Sequence, residues 1–181
     1  MLYLSRTLTE SWANAFFDWL TRRCDPVTGI SIAGAVQSHR QPIWHYMGDW
    51  FHFLFCFHAM RRSFPHPERL VDSCIQMYDE NQMPDSFGRG QRFLDIDWAF
   101  TLGRTAIQAG YRLSDSRARL AQFAARFVDY LAASPLSEPQ WQDLHLMFGM
   151  VCALAELQCI LPGVIRTPRA LRQVLDFRPF I

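Results

Sequence analysis

The chain has 181 residues, half of them hydrophobic, with 15 Phe and 6 Trp, which suits a single domain, 1–181, with a sizeable core. A formal net charge of +1 argues against nucleic acid or an acidic membrane surface as a partner, even though every basic residue is Arg. Five cysteines without a CxxC pair, and an N-terminus without an apolar signal core, point to a reducing, cytoplasmic setting.

Thr7 and Glu10 form a T-x-x-E capping box that predicts a first helix, with Trp12, Phe16, Trp19 and Leu20 as its apolar stripe. A turn follows at Asp25-Pro26-Val27-Thr28-Gly29. The segment 45–63 is apolar over most of its circumference, so it reads as a helix surrounded by protein. Its most apolar part, Trp50 to Met60, is too short to span a bilayer. Pro67 suits the first turn of the next helix, whose stripe is Leu70, Val71, Cys74, Ile75 and Tyr78.

The loop 87–92 leads into a second all-round apolar segment, 95–110. Ser114 is expected to cap a helix in which Leu120, Phe123, Ala124, Phe127, Val128 and Leu131 form one stripe at i, i+3, i+4, i+7, i+8 and i+11. Ser137 with Gln140 makes another capping box before the third apolar segment, 141–161. Thr167-Pro168 reads as a cap followed by proline at the first helical position. No alternating run is long enough for a strand.

Half-buried helices thus alternate with fully buried ones, in two registers. Outer stripes align at Leu70, Leu120 and Leu171, spaced by 50 and 51. Buried segments align at Asp49-Trp50, Asp97-Trp98 and Asp143-Leu144, spaced by 48 and 46. A period this long predicts stacked supersecondary units, each too small to bury its own face. The pattern resembles the α/α toroids: six-hairpin glycosidases, polysaccharide lyases, terpenoid cyclases and protein prenyltransferases. The turn at 25–29 is similar to the D-P-x-T-G turns that follow outer helices in such repeats. The resemblance implies an all-α fold, alternating outer and inner hairpins in a partial α/α toroid. The chain supplies roughly three and a half hairpins where a closed ring needs about six.

In such a toroid the inner helices are parallel, so Asp49, Asp97 and Asp143 would converge on one mouth as acid/base candidates. Clustered carboxylates push one pKa upward, which is what a general acid needs. Asp is also favoured in any first helical turn by capping and the macrodipole. His45, Asp49 and His52, at i, i+4 and i+7, share a helix face within about 60°, and their ligand types suit Zn²⁺ or another divalent metal. Without that metal no cofactor is expected. Cys56, seven residues after Asp49, is a conceivable nucleophile that reads better as a core thiol.

In the loop, Gly88 and Gly90 would let backbone approach a ligand, while Arg89 and Arg92 offer bidentate contacts to carboxylate or phosphate. Arg89, Gln91 and Asp95 are the substrate-binding candidates here, and Trp44 and Trp50, near the start of the first buried helix, are sugar platforms. Arg89-Gly90-Gln91 resembles the R-G-Q that precedes an inner helix in unsaturated glucuronyl hydrolases; Arg92 and Phe93 stand where that motif continues with tryptophan. Asp95-Ile96-Asp97-Trp98 resembles the D-x-D-D helix of class II terpene cyclases, with Trp98 in place of the last aspartate. That resemblance implies Asp97 as the acid.

The expectation is therefore a domain acting on a carbohydrate, as hydrolase or lyase, with a small-molecule or glycan ligand. The alternatives are a non-catalytic helical-repeat module that forms a homodimer or completes a larger polypeptide's ring, and a terpenoid-cyclase-like protein.

Overall fold

The computed structural model describes residues 9–31 and 40–177. Among the described residues the chain is all-α, with eight helices and no strand. Among these residues a lone antiparallel bridge joins Cys24 and Ser31, and no helix among them is long and apolar enough to cross a membrane.

Helix α1 spans Glu10–Arg23 and is capped by Thr9, whose Oγ1 accepts from the Trp12 N–H over 3.2 Å. Thr7 of the expected capping box lies outside the described residues. The buried stripe of α1 is Ala13, Phe17 and Leu20, whereas Trp12 and Trp19 are about half exposed. The expected stripe is thus rotated toward solvent. Two apolar faces lie side by side on this helix, and periodicity alone does not decide which turns inward.

The turn after α1 is built from its own side chains. Asp25 Oδ1 accepts from the Val27 N–H over 2.8 Å, and Thr28 Oγ1 from the Ile30 N–H over 3.3 Å. Gly29 adopts φ +70°, and a Cβ there would stand 2.5 Å from the Leu70 nitrogen. Only glycine lets this turn seat on the following outer helix, where the Ser73 hydroxyl donates to the Thr28 carbonyl over 2.8 Å.

The remaining helices are α2 (Ile43–Ala59), α3 (Pro67–Asp79), α4 (Leu94–Ala109), α5 (Leu113–Ala133), α6 (Pro139–Gln142), α7 (Leu144–Ile160) and α8 (Val174–Phe177). Pro67 takes the first-turn position of α3, and the Gly110 N–H closes α4 at φ 62°. Other start signals act differently from expectation. Ser114 lies inside α5, which begins after Arg112 at φ 46°. The Gln140 amide donates to Ser134 rather than meeting Ser137. Thr167-Pro168 starts no helix; Thr167 Oγ1 accepts from Gln158 Nε2 over 3.0 Å instead. Leu70 and Leu120 are fully buried, but Leu171 lies outside any helix, so the outer register lapses there.

Helix α4 is the centre of the fold. Every residue from Leu94 to Gly103 is buried, and the helix packs against α2, α3, α5 and α7. Helix α3 also touches α5, and α5 touches α7. The helices α2, α4 and α7 run in the same direction. At their starts, a Cβ on Gly48 of α2 would stand 3.2 Å from Asp97 Oδ2 of α4, and Phe93, which precedes α4, lies 3.9 Å ring to ring from His145 of α7. Toward their ends, one ionic cluster ties all three to α8. Arg104 of α4 grips Glu156 of α7 with two N–H groups, and Asp176 of α8 accepts from both Arg104 and His58 of α2 at 3.0 Å.

Candidate functional site

The three recurrent aspartates meet different fates. Asp143 caps its own helix: Oδ1 accepts from the His145 N–H at 2.7 Å and the Leu146 N–H at 3.2 Å. Capping accounts for this carboxylate without a catalytic role. Asp49 is exposed on α2. Asp97 is only 6% exposed, and its Oδ1 has no hydrogen-bond partner among the described residues. Burial pushes the Asp97 pKa well above the ordinary carboxylate value, and the negative charges of Asp95 and Asp49 push it further. Burial thus favours the protonated form of Asp97, and Asp49 is near enough to add to that preference.

Asp95 is a brace for the loop, not a surface for a ligand. It is 2% exposed, and its two oxygens accept from the Gly88 N–H at 2.6 Å and the Gly90 N–H at 2.9 Å. Gly88 and Gly90 have φ +80° and +63°, the left-handed geometry that turns both N–H groups inward. The glycines thus serve the carboxylate of the chain itself, and Gly90 is backed by Met150. Burial raises the Asp95 pKa to about 7, against the lowering effect of the two N–H donors.

The tryptophans divide as well. Trp50 is 1% exposed, packed near Phe53 and Phe57, so it offers no face to a sugar. Seven residues separate it from Phe57 along α2, on the stripe that turns into the core. Trp44 is half-buried and stacks on His45 with ring centres 3.8 Å apart. His45, Asp49 and His52 all stay on the exposed face of α2. Among the described residues no group of three His, Cys, Asp or Glu side chains is placed to hold a metal ion. Burial pushes the Cys56 thiol up to about 11, which suppresses the thiolate that a nucleophile needs.

The loop ahead of α4 borders an open groove of about 430 Å³. Arg89 lies in its lining with Gly88 and Phe87, facing Tyr78 of α3 and Arg126 and Tyr130 of α5. Gln91 is exposed beside it and its amide lies 3.4 Å from the Tyr130 hydroxyl. Of the residues expected at a site, Arg89 lines this groove and Gln91 stands beside it; Tyr78, Arg126 and Tyr130 line it without having been expected there. The signal was present in the seven-residue spacing of Arg112, Arg119 and Arg126. What to do with that row depended on which residues stood opposite.

The predicted site therefore separates into a buried acid at the shared starts of α2 and α4, and a cationic groove on the other side of the Asp95 brace. Compared with known proteins, the chain matches no family model, no curated protein and no solved structure.

Proposed function

We propose that this chain is a partial α/α toroid acting on a carbohydrate by acid/base chemistry at the N-terminal mouth of its inner helices. The toroid reading is supported by the parallel sense of α2, α4 and α7, with α3 and α5 packed outside α4 and against each other. The observation that carries the chemical reading is the buried carboxyl of Asp97, whose Oδ1 has no hydrogen-bond partner among the described residues, beside exposed Asp49. An amide would occupy that position at lower cost to folding, because it never has to ionise or hold back a proton. A carboxyl there has the properties of a general acid. In a hydrolytic step Asp97 donates its proton to the leaving glycosidic oxygen, and Asp49 takes a proton from the attacking water. The charge balance is restored when the two protons exchange with solvent.

The test is turnover of a panel of neutral and acidic oligosaccharides, followed by new reducing ends and by the ultraviolet absorbance of unsaturated products. Asp97→Asn and Asp49→Asn should each lower the rate by roughly 10²–10⁴-fold, while Asp143→Asn should leave it nearly unchanged. Full activity in Asp97→Asn, or no turnover of any panel member by the wild type, overturns the proposal. Release of unsaturated ends identifies a lyase instead of a hydrolase.

A second reading has its own observation. The first helix exposes Trp12 and Trp19, and the last long helix exposes Leu144 at 82% and Val151 at 49%. Apolar surface at both ends of an incomplete helical series favours self-association that completes the ring. Multi-angle light scattering of the wild type should then give a multiple of the 21.1 kDa chain mass, reduced to the monomer by Leu144→Glu with Val151→Glu. A strict monomer at high concentration removes this reading.

A further inference from the structure

Along the seam between α3 and α5 runs a ladder of arginines and aspartates. Arg112 pairs with Asp72 at 2.9 Å, and Arg119 pairs with Asp79 at 2.8 Å. Each partner lies seven residues beyond the last, which is two helical turns on both helices. Arg126 is the next rung on α5. Helix α3 ends at Asp79, however, and the position seven residues further, Ser86, lies in the loop and carries no charge. Among the described residues Arg126 has no carboxylate partner; its Nη2 donates to the Tyr78 hydroxyl at 2.8 Å. The ladder therefore ends on a guanidinium with donors to spare, and this end opens into the groove of about 430 Å³.

Arg89 lines the same groove and is likewise without a carboxylate partner among the described residues. Among the described residues the groove holds Asp85 as its one acid, so two guanidinium groups outweigh it. Its other polar lining is Tyr78, Tyr130 and Asn81. Planar guanidinium groups prefer carboxylates, which they grip with two parallel N–H donors. Asp85 and Asn81 suit hydroxyl groups, and tyrosine rings suit the apolar face of a pyranose. An open, largely polar groove of this kind fits a hydroxylated ring that carries an acid, better than a flat apolar ligand, which needs an enclosed slot.

We infer that this groove is a binding site for an acidic saccharide, whose carboxylate supplies the missing rung opposite Arg126 and is shared with Arg89. This site stands independently of the acid/base reading of Asp97, which does not line the groove. The direct test is isothermal titration calorimetry of the full chain with a short glucuronate oligosaccharide, its neutral glucose counterpart and inorganic phosphate. The glucuronate ligand should bind saturably and the neutral one at least tenfold more weakly. Arg126→Gln and Arg89→Gln should each weaken glucuronate binding by about tenfold to a hundredfold, with unchanged circular dichroism. Arg119→Gln, one rung away and paired with Asp79, should leave the affinity within about twofold of wild type. Asp97→Asn should also bind normally, which separates failure of this site from failure of the catalytic reading. Equal affinity for the neutral sugar, tighter binding of phosphate than of glucuronate, or wild-type affinity in both Arg126→Gln and Arg89→Gln overturns the inference.

Discussion

Gly88 and Asp95 are joined across the loop before α4, the glycine N–H donating to Asp95 Oδ1 over 2.6 Å. With the matching bond from Gly90 at 2.9 Å, one carboxylate holds the loop that carries Arg89. Removing it orphans two backbone donors, the one at Gly90 in a buried place. Asp95→Ala should therefore lower the unfolding free energy by about 2–4 kcal/mol. Asp95→Asn, which keeps one acceptor oxygen, should lose roughly half as much. Urea denaturation of the three proteins measures both, and an unchanged midpoint for Asp95→Ala would show that the brace contributes nothing.

Asp97 and Asp95 both have folded pKa values above their unfolded ones, so the folded state binds more protons. Their stabilising contribution is complete below the unfolded value of about 4 and is lost as pH rises through the folded value, which is about 7 for Asp95 and is raised in the same direction for Asp97. The chain should be more stable at pH ~5 than at pH ~8, against the trend of a protein held by salt-bridged carboxylates. Asp97→Asn should flatten this slope and be more stable than wild type at pH ~8. Denaturant titrations across that range decide it; a parallel slope in wild type and variant would place the titration elsewhere. The same substitution is expected to lower turnover by roughly 10²–10⁴-fold, so a stabilised variant of much reduced activity is the signature of a working acid.

Arg104 and Glu156 form the buried half of the ionic cluster at the far end of the inner helices. Burial opposes the charge on Arg104, but its bonds to Glu156 and the nearby charge of Asp176 outweigh that and raise its pKa. Glu156 is almost completely buried, so Arg104→Met leaves a carboxylate without its partner. The expected loss is about 3–5 kcal/mol, while Arg104→Met with Glu156→Leu should recover most of it. Thermal unfolding of the two variants checks both statements, and equal losses would mean that the pair itself is the source of stability.

The residues determine the all-α fold directly. The three all-round apolar segments at 45–63, 95–110 and 141–161 all become helices, α2, α4 and α7, but only α4 is enclosed by the others; α7 leaves Leu144, Phe148 and Val151 exposed, and α2 keeps His45, Asp49 and His52 on an exposed face, against the expectation that both would be surrounded by protein. Glycine and proline positions are also legible: Pro67 begins α3, and Gly110 ends α4. Tertiary structure alone decides how each polar group is used. Asp49, Asp97 and Asp143 share a register, yet Asp143 meets free N–H groups and becomes a cap, Asp49 meets solvent, and Asp97 meets neither. Those outcomes depend on where each helix begins and how deeply each carboxylate is covered, which local sequence does not encode; α2 starts at Ile43, so Asp49 stands in its second turn and not, as expected, in its first. The same holds for Arg112, Arg119 and Arg126: their spacing is written in the chain, but the end of α3 decides that two are paired and the third faces a groove.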